Sequence, residues 1–364
     1  MPIPLLLHGK HAERPVHYET VGPWIVPWRF QSFEEEYQTL RTGVGLLDYS
    51  TQALIHVSGP DRIDFLHRLL TNDIAALPPG GGCQAALLSA NAALISDLLV
   101  VAHEDAHWLL CDATRASVVT ETLTRSLFRE QVSLVNQERR HAVVALQGHR
   151  APAVAQELFG QAVELPEAGD HCAAMVNGMA VECVRHRLTD EDGVLCIVPA
   201  ELMEPLWRWL RDRGGPMGLR PVGWEALNTA RLEAGLPWFG IDMDQTNLLP
   251  ETGLEAVAAC GTKGCYPGQE IVARLETYGS VNKKLMGLRV EEGTSVPEAG
   301  DRIVRDEADV GWVTSACYSL ALKRPIALGY LKRGAYEAGT AVAILRGTAR
   351  LPATVVTRPL VPPS

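Results

Sequence analysis

No two of the eight cysteines (Cys83, Cys111, Cys172, Cys183, Cys196, Cys260, Cys265, Cys317) are spaced C-x-x-C. That argues against a disulfide framework and for reduced, mostly structural thiols. Cys260 and Cys265 have the C-x4-C spacing that opens a plant-type cluster motif, but the next ligand would fall on Gly268. Long apolar runs are missing too, so no segment reads as a membrane span. The opening "MPIPLLLHGKHAERP" lacks a basic n-region, a long h-region and a small-residue cleavage site. It does not read as a signal peptide, and the cytoplasm is the default expectation. Basic residues are outnumbered, 33 against 43 acids, for a net charge of −10. A general nucleic-acid binder is thereby disfavoured, while a local basic site for an anionic ligand stays open. No repeat of a solenoid period occurs.

What is present suits a sizeable core. The chain has 364 residues, 47% of them hydrophobic, enough for two or three domains. "SFEEEYQTLRTGVGLLDYS" reads as an amphipathic helix ending near Gly43, and "PDRIDFLHRLLTND" as a second helix. "ALIHVSG", "HWLLCDA" and the two halves of "AALLSANAALISDLLVVAH" read as strands, and "SVVTETLTRSLF" as a helix. A similar unit follows, with "HAVVALQG" and "VLCIVP" as strands and "AELMEPLWRWLRDRG" and "GWEALNTARLEAG" as helices. From about residue 285 short strands with turn residues between them predict a small all-β barrel or sandwich. The expected class is α+β, with a core over 1–280 and a β-barrel domain over 281–364.

Four stretches carry candidate chemistry. "HEDAH" (103–107) matches the H-E-x-x-H zinc pattern, but it lies between two strands, where its histidines share no helical face and a solvated turn is expected. "GTKGCYPGQEIVARL" places Cys265 beside Lys263 and ahead of Ile271, Val272 and Leu275, which have helical spacing. With Pro267 in a first helical turn, the helix dipole and Lys263 would favour a thiolate; an inert buried cysteine is the alternative. Gly264 and Gly268 permit close backbone approach, and Gln269 and Glu270 add polar groups. Asp97 is the one acid in an apolar strand: either a carboxyl with a raised pKa or an outward-facing residue. "RLEAGLPWFGIDMDQTNLLPE" sets Arg231, Glu233, Asp242, Asp244 and Glu251 beside Trp238 and Phe239, suited to a flat heterocycle or a solvated loop, and poorly to calcium.

Over nearly its whole length the sequence resembles the superfamily of the glycine-cleavage T-protein, the tetrahydrofolate-dependent aminomethyltransferase. "LRTGVGLLDYS", "VSGPDRIDFLHRLLTND", "ALQG", "RLEAG", "FGIDMD" and "TSACYSLALKRPIALGY" are similar to its landmarks in order. "KGCYPGQE" resembles the signature of the YgfZ-type branch, folate-binding proteins that support iron–sulfur enzymes. The resemblance implies two α+β subdomains around a folate cleft and a C-terminal β-barrel. It puts Asp97 on the T-protein's catalytic Asp, with Ser96 in place of the preceding acid. A pterin-binding Glu falls on Leu195 and a helix Arg on Leu227. The branch signature covers Lys263, Gly264, Cys265, Tyr266, Gly268, Gln269 and Glu270, and Arg274, Lys283 and Lys284 with Lys263 offer charge to a polyglutamyl tail. Expected is a tetrahydrofolate-binding accessory protein for iron–sulfur cluster assembly or repair. The alternative is a tetrahydrofolate-dependent aminomethyl- or methyltransferase. Tetrahydrofolate is the expected cofactor, iron–sulfur clients or assembly proteins are the expected partners, and neither nucleic acid nor a membrane is expected.

Overall fold

The computed structural model describes residues 2–11, 17–160, 163–278 and 280–362. Two compact units emerge: Met1–Ser89 with Ile95–Leu227 and Val257–Pro267, and Ala90–Leu94 with Asn228–Ala256 and Gly268–Ser364.

The first unit is built on two larger sheets, beside a three-stranded sheet in the order Ile3–Pro4, Trp24–Arg29, His17–Val21. A six-stranded sheet runs His171–Val176, Met179–Arg185, Gly193–Pro199, His141–Gln147, Val44–Asp48, Leu219–Pro221. A five-stranded sheet runs Gly82–Leu88, Leu94–Ala102, Ala106–Asp112, Gln52–Ser58, Ser133–Asn136. The six- and five-stranded sheets each have their own apolar core. The helices Ala151–Phe159 and Met203–Gly214 cover the first, around Val144, Leu146 and Trp207. Arg62–Leu69 and Ala116–Arg125 cover the second, around Ile55, Leu66 and Leu109. In Arg62–Leu69 the residues Phe65, Leu66 and Leu69 face inward, the i, i+1, i+4 stripe of an amphipathic helix. Along Leu94–Ala102 burial alternates at first, with Ser96 and Leu98 inward and Ile95 and Asp97 on the more open face.

The second unit contains a closed six-stranded barrel, in the order Lys283–Val290, Arg324–Lys332, Ala308–Ser319, Arg302–Arg305, Ala341–Arg346, Ala349–Val356. All six correspond to the short strands expected beyond residue 285, and the α+β class with a C-terminal barrel is as expected. Leu288, Val290, Ile303 and Val355 fill the interior. The register shifts between Val313 and Ser315, so Thr314 and Ser315 are both buried. Such a bulge re-aims side chains. No helix among the described residues is long and apolar enough to cross a membrane.

Candidate functional site

The loop around Cys265 is stitched to the end of the helix Arg62–Leu69. Thr71 donates its hydroxyl to Ala258 O at 2.5 Å, and Thr71 O accepts from Cys260 N at 3.0 Å. Asn72 Nδ2 reaches Gln84 O at 2.7 Å and Val257 O at 3.4 Å. The landmark "TND" therefore holds residues 257–260, just ahead of the Cys265 loop. Lys263 fastens the next residues: its ammonium donates to the carbonyls of His67 and Leu70, orphan acceptors at the helix C-terminus. The Lys263 Nζ also lies 5.2 Å from the Tyr266 ring centroid. Both side chains are buried, while Gly264 and Cys265 between them are exposed. The thiol thus sits at the tip of a loop pinned on either side.

This geometry corrects two expectations about the loop. The helix begins at Gln269, not at Pro267, so Cys265 is four residues ahead of it rather than at its N-terminus. Gly268 precedes the helix at φ 81°, a backbone setting that favours glycine, and its carbonyl accepts from Ile271 N and Val272 N. Lys263 is not a free cation beside the thiol. Its charge is committed to helix carbonyls, and burial pulls its pKa below the usual lysine value. The Thr262 hydroxyl, 3.3 Å away, pulls the Cys260 thiol below the usual cysteine value. Burial pushes Cys83 up to about 12.

The expected basic cluster is thinner than its sequence. Lys283 pairs with Glu251 at 3.7 Å and lies over the rings of Trp312 and Tyr330 at 5.4 and 5.0 Å. Lys284 is half-buried and Arg274 exposed. Gln269 is half-buried and Glu270 exposed on the first helical turn.

Asp97 is half-buried on its strand with no ion-pair partner among the described residues. Burial, with a smaller push from Asp112, raises its pKa to about 6. A raised carboxyl pKa means that the folded state keeps the proton to higher pH than the unfolded chain, whose value is about 3.9. Its stabilising contribution is full below about pH 4 and is lost as pH rises through about 6. Asp97→Asn removes the ionisation and keeps the shape. Relative to wild type it should gain about 1–3 kcal/mol more at pH 7.5 than at pH 4 in urea unfolding. Equal effects at both pH values would mean a solvated carboxylate.

"RLEAG…FGIDMD" is a buried structural network instead of a ligand surface. Arg231 and Asp242 form an ion pair with side-chain exposures of 1% and 0%. Arg231 also donates to Asn228 Oδ1 and Leu236 O at 3.0 Å and to Ser315 Oγ at 2.9 Å, with its guanidinium 4.2 Å from the Trp238 ring centroid. Asp242 accepts from Thr314 Oγ1 at 2.6 Å and Ser315 Oγ at 2.5 Å, the two hydroxyls that the bulge brings together. Glu233 accepts from Ser319 Oγ at 2.6 Å. Asp244 accepts from its own loop at Thr246. Sequence reading missed this role because the partners lie in the barrel, more than 70 positions further along.

Fold and landmarks define a two-part α+β and barrel protein, and comparison with known proteins identifies its family. Residues 7–261 match the GCVT N-terminal domain and residues 283–362 the glycine cleavage T-protein C-terminal barrel domain. The chain belongs to the glycine cleavage T-protein family. It is 29% identical to an aminomethyltransferase of Synechococcus sp. (strain CC9311), with 92% of each chain covered. It is 30% identical to an aminomethyltransferase of Streptomyces avermitilis, covering 87% of this chain and 86% of the other. The crystal structure of glycine cleavage system aminomethyltransferase T from Bartonella henselae superposes with a TM-score of 0.88 at 24% identity, over 100% of this chain and 99% of that one.

Proposed function

We propose that this chain binds tetrahydrofolate and serves as an accessory protein for iron–sulfur cluster assembly or repair, with Cys265 as its working group. The observation that carries the proposal is the loop itself. Lys263 and Tyr266 are buried as fasteners and leave a thiol exposed between them. Exposure of a pinned thiol is what contact with a metal, sulfur or one-carbon partner requires. The iron–sulfur assignment rests on the resemblance of "KGCYPGQE" to the YgfZ-type signature.

A second reading is tetrahydrofolate-dependent aminomethyl transfer, favoured by the name that the relatives share and by Asp97 with its raised pKa. Three residues count against it. Ser96 replaces one of two neighbouring acids, and Leu195 and Leu227, 2% and 0% exposed, stand where a T-protein is expected to hold a Glu and an Arg. Neither leucine can hydrogen-bond a pterin or carry charge. In this reading Asp97 would hold the folate amine, and Asp97→Asn would abolish turnover. In the accessory reading the same change weakens folate binding and leaves the fold intact.

Tetrahydrofolate should raise the melting temperature, since a ligand specific to the native state stabilises it by about 2.7 kcal/mol at a hundredfold excess over its dissociation constant. A polyglutamyl tail should add less than the sequence alone suggests, because Lys263 and Lys283 are already engaged. That increment should shrink with salt, over a screening length of about 8 Å at physiological ionic strength. Calorimetry with mono- and polyglutamyl tetrahydrofolate checks both points. Folded protein that binds neither form removes folate from the account. Release of methylene-tetrahydrofolate from an aminomethyl donor would decide for the second reading.

A further inference from the structure

The "HEDAH" turn does not form the helical zinc motif, yet its first histidine meets two other ligand-type side chains. His103 follows the strand Leu94–Ala102 of the five-stranded sheet. His171 and Glu182 belong to the paired strands His171–Val176 and Met179–Arg185 of the six-stranded sheet. One donor atom from each of the three residues lies within 4.8 Å of the others. His107, the other histidine of the turn, is not among them.

The hydrogen bonding at His171 is unbalanced as it stands. Its Nε2 lies 2.8 Å from Ala102 O, and its Nδ1 lies 2.5 Å from Glu182 Oε1. A backbone carbonyl only accepts, so Nε2 carries the hydrogen. In a neutral ring Nδ1 then turns a bare lone pair toward a carboxylate oxygen. A positive species is needed between them, either a proton or a metal ion. A proton satisfies His171 and Glu182 alone. His103 remains: its ring lies 4.4 Å from that of His171, and its Nε2 is buried without a hydrogen-bond partner. A metal ion satisfies all three. The carbonyl that fixes the His171 tautomer is the outer-shell partner that metal-binding histidines ordinarily have, and it leaves Nδ1 as the ligand.

We propose that His103, His171 and Glu182 form a three-ligand site for a divalent ion of the zinc class. Two imidazoles and a carboxylate with a position left for water suit zinc better than magnesium or calcium, which prefer all-oxygen shells. Ligands about 2.0 Å from zinc in a tetrahedron sit roughly 3.3 Å apart, so the carboxylate opens and the His103 ring closes on binding. The ion would tie the five- and six-stranded sheets together where they are already joined, through Gly80 N to Ala102 O and His171 N to Gly80 O, each 2.8 Å. Such an ion binds only the folded unit and stabilises it. The site is separate from the Cys265 loop and does not depend on folate binding.

Chelator-stripped protein titrated with zinc chloride by calorimetry tests the site, with cobalt(II) as the spectroscopic probe. One equivalent should bind, and the cobalt form should show visible ligand-field bands without thiolate-to-cobalt charge transfer. His103→Ala should weaken zinc by at least about tenfold, because losing a ligand costs more than losing an outer-shell partner. Glu182→Gln should do the same and serves as the second variant if His103→Ala misfolds. No zinc uptake by wild type, equal uptake by both folded variants, or a thiolate–cobalt band would each overturn the proposal; the last would mean binding by the cysteines.

Discussion

Arg231→Met should destabilise the folded protein by about 3–5 kcal/mol, the usual cost of removing one partner from a buried ion pair. The guanidinium meets Asp242, Asn228, Ser315 and a backbone carbonyl, and both charged side chains are sealed from water. Methionine fills much of the volume but leaves the Asp242 carboxylate buried with only hydroxyl and amide donors. The effect is therefore chiefly an uncompensated charge rather than a lost contact. Arg231→Met combined with Asp242→Leu removes both charges and should recover part of the loss, as apolar replacements of whole buried pairs often do. The Ser315 hydroxyl limits that recovery, because it loses its acceptor, whereas Thr314 keeps Leu328 O at 3.3 Å. Urea unfolding of the two variants measures both effects. A single-variant loss below about 1 kcal/mol, the size of an exposed pair, would show that the network is solvated.

Lys263→Met should cost about 2–4 kcal/mol. Two helix carbonyls lose a charged donor, and a hydrogen bond to a charged group contributes about 1.5–3 kcal/mol. Part of that gain is already offset by burial of the ammonium, seen in its lowered pKa. The variant should loosen the loop without removing the thiol, so Cys265 stays present while its position blurs. If Lys263 instead served to activate Cys265 from solvent, stability would barely change and only thiol reactivity would fall. Denaturant unfolding and thiol alkylation of the same variant separate the two cases.

The barrel was legible because its strands alternate and are punctuated by turn residues, both local signals. The helix Arg62–Leu69 was legible from its apolar spacing, but not what its C-terminus holds. Lys263 finds its acceptors 196 and 193 positions away, and no pattern around residue 263 announces them. The hairpin His171–Val176 and Met179–Arg185 went unread despite a clear signal. Asn177 and Gly178, at φ 48° and 76°, form the Asn-Gly turn that favours tight hairpins. Missing that hairpin hid His171 and Glu182, and with them the partners of His103. Asp97 was recognised as an anomaly in an apolar strand, and burial accounts for its raised pKa. Arg231 and Asp242 stand out in the sequence for their charge, which suits a heterocycle site or a solvated loop equally, because burial by a distant barrel strand leaves no local trace.

The central claim is that an exposed thiol on a folate-binding T-protein fold supports iron–sulfur enzymes. Its most direct test is deletion and rescue, with the activity of an iron–sulfur enzyme read in cells that lack this chain. Wild type should restore that activity, and Cys265→Ser should not, while purified Cys265→Ser keeps its fold and its tetrahydrofolate affinity. Full rescue by Cys265→Ser, or an iron–sulfur activity that never depended on the chain, would contradict the account and leave aminomethyl transfer as the better description.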